Sequence, residues 1–153
     1  MNNLIYLGSD HAGYSFKMAL WEKLKSHFPE KKWEDMGCYS ENSCDYPEFA
    51  EKVALQVVKN SGLGILVCGS GIGVAIAANK VPGIRAATVW DKISASLSKE
   101  HNNTNIICFG ARLVSLETAV ESASQWLKTE FAGGRHQKRV ELITALEKKY
   151  GAS

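Results

Sequence analysis

Leu63-Gly64-Ile65-Leu66-Val67-Cys68-Gly69-Ser70-Gly71-Ile72-Gly73-Val74-Ala75-Ile76-Ala77-Ala78 reads in three parts. Residues 63–68 form an unbroken apolar run of strand length, the pattern of a strand buried on both faces. Gly69, Gly71 and Gly73 alternate through the turn that follows, and Val74 to Ala78 open a helix. A buried strand feeding a helix through a tight turn is the building unit of a parallel α/β sheet.

The same reading extends outward. Leu4 to Gly8, Ile84 to Trp90 and Asn105 to Gly110 are further runs of this kind, with a weaker one at Lys32 to Met36. Between them lie helical periods through Phe16, Leu20, Leu24 and Phe28, through Phe49, Val53 and Val57, and through Leu116, Ala119, Val120, Ala123 and Leu127, each able to lay one apolar stripe on a sheet. The alternation predicts a doubly wound α/β domain of about five parallel strands in three layers, α/β/α. Right-handed crossovers then bring every strand's C-terminal end to one rim, where ligands bind.

After the flexible pair Gly133-Gly134 a last helical pattern runs from Arg135 to Tyr150 through Val140, Ile143 and Leu146. This C-terminal segment, 132–150, is free to pack on its own domain or on a second subunit. With no internal repeat and no long linker, residues 1–153 read as one domain.

Bulk properties narrow the functional classes. A chain of 153 residues with 45% hydrophobic content can bury a core without staples. Its 18 basic and 16 acidic residues leave a formal charge of +2, too small for a protein built to coat nucleic acid or an anionic membrane. The N-terminal apolar run is too short for a signal sequence or a membrane span. Cysteines at 38, 44, 68 and 108 form no CxxC pair, and no histidine stands at zinc-ligand spacing from them. Free thiols in a reducing, cytoplasmic setting are expected, with no metal.

Polar residues collect where strands end: Ser9-Asp10-His11 after the first, Cys68-Gly69-Ser70 after the third, Asp91 after the fourth and Arg112 after the last. The glycines of 69–73 let the backbone approach a ligand and turn its N–H groups toward it, a plausible anion cradle. A cysteine at a helix N-terminus has its thiolate favoured by unpaired N–H groups and the helix dipole. A tight turn around a buried, inert cysteine accounts for the same residues equally well. A dinucleotide loop is disfavoured, because the spacing is GxGxG after a middle strand. A cysteine phosphatase loop would close with an arginine where Val74 stands. Arg135 and Arg139, four apart on one helix, can face a single phosphate with His136 beside them, or simply face solvent. His101-Asn102-Asn103-Thr104-Asn105 reads by itself as a cap and turn, and Cys38, Cys44 and Cys108 read as structural thiols.

Taken together, Gly8-Ser9-Asp10-His11-Ala12-Gly13, Asp45-Tyr46-Pro47, Cys68 to Gly73, Ala77-Ala78-Asn79-Lys80, Gly83-Ile84-Arg85-Ala86, His101 to Asn105 and Gly133 to Arg139 resemble, in this order, ribose-5-phosphate isomerase type B. The wider family also contains galactose-6-phosphate and allose-6-phosphate isomerases. The resemblance implies a Rossmann-like domain that forms homodimers or dimers of dimers, with sites between subunits. It implies interconversion of ribose 5-phosphate and ribulose 5-phosphate without metal or organic cofactor. Cys68 is then the base that moves a proton from C2 to C1 through a cis-enediolate. The amides of Gly69, Ser70, Gly71, Ile72 and Gly73 hold the oxyanion, and Ser70 moves the proton between O1 and O2. His101 opens the furanose ring, and Asn102, Asp10 and Tyr46 hold hydroxyls with Asp45 in support. His11, Arg112, Arg135 and Arg139 grip the phosphate. A branch of the family uses a glutamate further along the glycine loop, but Val74-Ala75-Ile76 carries no carboxylate. A six-carbon sugar phosphate is the alternative substrate, and a non-catalytic phosphosugar-binding module is the alternative class.

Overall fold

The computed structural model describes residues 3–151. Five strands, β1 (Leu4–Ser9), β2 (Lys32–Asp35), β3 (Leu63–Cys68), β4 (Ala86–Thr88) and β5 (Ile106–Gly110), form one all-parallel sheet in the order β2-β1-β3-β5-β4. Helices α1 (Tyr14–His27), α2 (Tyr46–Asn60), α3 (Ile72–Ala78), α4 (Lys92–Asn102), α5 (Leu116–Lys128) and α6 (Arg135–Gly151) complete the expected architecture.

Strand parity divides the core. On one face Ile5, Ile65, Val67, Ile107 and Phe109 pack under Leu20 and Leu24 of α1, Ala95 of α4, and Ala119 and Trp126 of α5. On the other face Tyr6, Leu66, Cys68, Ile106 and Cys108 pack under Val53 and Val57 of α2 and Val74 and Ala78 of α3. Every residue of β3 and β5 is buried, which is why both read as unbroken apolar runs. The buried Trp126 indole donates to Thr104 Oγ1 at 2.9 Å, so its one polar atom is satisfied.

From β1 the chain steps to β2 on one side, then crosses back through α2 to β3 on the other. The crevice beyond the ends of β1 and β3 is therefore the topological switch point, where open α/β sheets take their ligands.

Two expectations needed correction. The run Ile84 to Trp90 yields only a three-residue edge strand, Ala86–Thr88, and side chains meet backbone groups there that no further strand pairs. Asn105 Oδ1 accepts from the Arg85 amide at 2.8 Å, and Asn79 both accepts from the Ala86 amide at 2.8 Å and donates to the Ala86 carbonyl at 2.9 Å. Asp91, grouped above with chemically useful rim residues, is instead the N-cap of α4. Its carboxylate accepts from the Ser94 amide at 2.7 Å, and Ser94 Oγ accepts from the Asp91 amide at 3.2 Å, a reciprocal capping box.

Candidate active site

At the switch point a cleft of about 560 Å³ is lined by Asp10, Tyr46, Cys68, Gly69, Ser70, Ile72, Gly73 and Arg112, with Ile76 and Leu113 at its edge. Cys68 ends β3 and is 4% exposed, so its sulfur looks into the cleft from the top of the core. The Gly71 amide donates to Cys68 Sγ at 3.1 Å, and Ser70 Oγ accepts from the Ile72 amide at 3.2 Å. One loop amide is thus aimed at the thiol itself. Gly73, in the first turn of α3, lines the same cleft, and its amide has no carbonyl of its own helix to pair with.

Close packing shapes this loop. Gly71 has φ +75°, and a Cβ there would sit 2.7 Å from the Phe109 carbonyl carbon, so only glycine fits. Its carbonyl accepts from Thr88 Oγ1 at 2.7 Å, a support that no motif signalled. The Arg112 guanidinium lies over Gly69, where a Cβ would come within 3.0 Å of a guanidinium nitrogen, and the Arg112 amide donates to the Gly69 carbonyl at 3.1 Å. Tyr46, the first residue of α2, lays its ring against Gly73.

From the β1 end, Asp10 is 7% exposed and accepts from the Gly13 amide at 2.9 Å, turning the chain into α1. The His11 ring is held by Cys44, whose amide donates to Nδ1 at 3.1 Å. Nδ1 also lies 3.2 Å from the Cys44 carbonyl oxygen, so both backbone polar groups of Cys44 fix the ring. Asp45 is the N-terminal flank of α2, exposed, and makes no capping hydrogen bond with its side chain. Cys108 lies beneath Cys68, wholly buried. Burial, then the neighbouring Cys68, pushes its thiol far above the ordinary range, and it is inert.

The remaining residues lie elsewhere. α4 starts at the ligand rim and runs back across the sheet for about 16 Å, which leaves His101 and Asn102 at the opposite rim. There His101 stacks on His136, with ring centroids 4.2 Å apart and planes 12° from parallel. Arg135 and Arg139 share the first turns of α6 with His136. Partial burial, then the charges of His101, Arg135 and Arg139, hold the His136 imidazole below its usual range. The expected grouping of Arg112, Arg135 and Arg139 around one loop is therefore not met within a single chain. Among the described residues, no group of three or more His, Cys, Asp or Glu side chains is placed to hold a metal ion, and no helix is long and apolar enough to cross a membrane.

Known proteins share this fold. The ribose/galactose isomerase family model matches residues 5–143. Over 148 residues the chain is 44% identical to ribose-5-phosphate isomerase B of Escherichia coli strain K12, spanning 95% of this chain and 97% of that one. The structure of ribose-5-phosphate isomerase B from Clostridium thermocellum superposes with a TM-score of 0.92 at 45% identity, covering 96% of this chain and 99% of that one. The enzyme from Mycoplasma genitalium, solved with ribulose-5-phosphate bound, superposes with a TM-score of 0.90 at 41% identity, covering 95% and 97%. With the family model matching nearly the whole chain and these relatives above 40% identical over at least 95% of it, the chain belongs to the ribose/galactose isomerase family.

Proposed function

We propose that this chain is an aldose-ketose isomerase that interconverts ribose 5-phosphate and ribulose 5-phosphate. The observation that carries the reading is the Cys68 sulfur at the switch-point cleft, with the Gly71 amide donating to it at 3.1 Å and Arg112 spread over Gly69 beside it. Cys68 takes the C2 proton of the ring-opened aldose and returns it to C1, while Ser70 passes the hydroxyl proton between O2 and O1. The developing enediolate oxygen is stabilised by the first-turn amides of α3. Because the Gly71 amide donates to the thiol, it is engaged by the Cys68 sulfur rather than by the oxyanion. Asp10 and Tyr46 hold sugar hydroxyls with Asp45 at the mouth, and His11 and Arg112 meet the phosphate.

His101, Asn102, Arg135 and Arg139 complete the site from a second copy of the chain. The separation of the two clusters by the depth of the sheet supports this, as does α6. Within one chain only Val140 of that helix is buried, while Leu142, Ile143, Leu146 and Tyr150 are exposed, an apolar face for a homodimer to cover. Its free thiols suit the reducing cytoplasm.

A coupled assay of ribose 5-phosphate, allose 6-phosphate and galactose 6-phosphate with the wild type and Cys68→Ala tests the assignment. Turnover of ribose 5-phosphate in the wild type and its loss by several orders of magnitude in a folded Cys68→Ala variant are expected. Near-wild-type kcat in that variant would remove Cys68 from the reaction. Preference for a six-carbon substrate would move the specificity, and binding without turnover would indicate a sensor module.

A further inference from the structure

The segment joining β2 to α2 holds two thiols that the proposed reaction does not use. Cys38 is buried, with Sγ 3.8 Å from Ser9 Oγ and 3.3 Å from the Ser40 carbonyl, and its amide donates to the Ser9 carbonyl at 2.8 Å. Cys44 is half-buried and brackets His11, with its amide 3.1 Å and its Sγ 3.9 Å from Nδ1. Ser9 and His11 are two positions apart, a span of about 7 Å at most, so both cysteines are pinned to one short stretch of chain. The exposed residues Ser40, Glu41, Asn42 and Ser43 loop out between them. Burial raises the Cys44 thiol against the lowering effect of its backbone hydrogen bond with His11, and Cys38 adds to the rise by charge and side-chain hydrogen bonding.

We propose that Cys38 and Cys44 are an oxidation site, a dithiol that a small-molecule disulfide such as glutathione disulfide closes to an intramolecular disulfide, loosening His11 beside it. Cys44, the more exposed thiol, attacks one sulfur of glutathione disulfide as the thiolate and releases one glutathione. Cys38 then attacks Cys44 Sγ in the resulting mixed disulfide and releases the second glutathione. The two thiol protons end on the two glutathiones, and the cysteine pair loses the two electrons that glutathione disulfide gains. An S–S bond is only about 2.05 Å long, so Cys44 Sγ must swing from the His11 ring toward Cys38. That motion strains the amide hydrogen bond that orients the imidazole. The effect on substrate rests on the reading of His11 as a phosphate ligand, whereas formation of the bond does not.

Trypsin releases both cysteines in one peptide, residues 33–52, with no internal Lys or Arg and neither of the other cysteines. The full-length protein is equilibrated with graded ratios of glutathione disulfide to glutathione, blocked with an alkylating reagent and digested without reduction. The expected result is a peptide two hydrogens lighter and resistant to alkylation, reverting with dithiothreitol. In Cys38→Ser the same treatment leaves one glutathione on Cys44. The KM for ribose 5-phosphate should rise several-fold in the oxidised wild type with little change in kcat, and should be the same with and without oxidant in the Cys38→Ser, Cys44→Ser double variant. An unmodified peptide, or glutathione on one cysteine of the wild type without closure, overturns the site. A closed disulfide with unchanged KM overturns its effect on His11. An equal loss of activity in the double variant assigns the sensitivity to another thiol. Failure of the isomerase reading itself leaves the mass result intact.

Discussion

Replacing Lys17 with methionine should destabilise the fold by about 3–5 kcal/mol, because it breaks a buried ion pair from one side. Lys17 is 0% exposed, on a helix face that packs over the β2–α2 segment. Its ammonium lies 2.7 Å from Asp35 Oδ1 and donates to the Cys38 carbonyl, also at 2.7 Å. The rings of Tyr14 and Tyr39 stand 5.5 and 5.8 Å away, adding weaker cation-π attraction. At 2.7 Å the gross attraction is about 6 kcal/mol in an effective dielectric of about 20, and desolvating two charges offsets several kcal/mol of it. The pair therefore adds little net stability. Removing one member is different, since it leaves Asp35 with only the Gly37 amide at 3.0 Å and orphans the Cys38 carbonyl. Methionine keeps most of the volume, so the loss reports the charge rather than a cavity. Urea unfolding of Lys17→Met, Asp35→Asn and the double variant, at one fixed protein concentration, measures it. The double variant should be less destabilised than the sum of the single ones by more than about 1 kcal/mol. A Lys17→Met loss below about 1 kcal/mol would refute the view that this ammonium holds the segment in place.

Gly110→Ala should abolish most activity and destabilise the protein by more than about 2 kcal/mol, because its Cβ would sit 2.5 Å from the Ser70 carbonyl oxygen, a backbone atom that cannot yield. The same change at Gly134, which has φ +52° and nothing within 4 Å, should cost only about 1 kcal/mol and leave kcat alone; thermal melts with kcat measurements compare the two. Burial, then the charges of Arg85 and Lys31, push the Lys99 ammonium down to about 8 from 10.5. Below pH 8 the folded protein carries that charge at a penalty. Between 8 and 10.5 the unfolded chain binds the extra proton, so stability rises with pH, by about 3 kcal/mol at most from this group. Lys99→Met should flatten that rise, and parallel unfolding curves for wild type and variant would sink the idea. If sites are completed between chains, mixing Cys68→Ala and His101→Ala chains under subunit exchange should restore about a quarter of wild-type activity, and no recovery would place His101 outside the site.

The sheet was legible because parallel strands buried on both faces need continuous apolar runs, and β1, β3 and β5 supply them. α4 was not, because it buries small residues, Ala95 and Ser98, while Ile93 and Leu97 face outward, so no apolar stripe announces it. The rim rule placed Asp10, Cys68 and Arg112 at the cleft, since each ends or follows a parallel strand. The same rule puts His101, which precedes β5, at the other rim. A motif shared with a family carries no information about which copy of the chain presents it. Asp91 misled because a carboxylate after a strand has two uses, and only the geometry of Ser94 shows that it caps. The meeting of Cys38 and Cys44 depends on the path of an irregular loop and leaves no periodic trace.

Cys68 is at once the last residue of the central strand and the sulfur on which the proposed chemistry turns. Its backbone partners are core strands, so drift in the surrounding packing would change activity before it changed the fold. The His101 and Arg135 cluster, on the ends of surface helices, carries no such packing burden, so its spacing can change without disturbing the core. A scaffold divided in this way can diverge in the length of sugar it accepts without repacking the strand that carries its base.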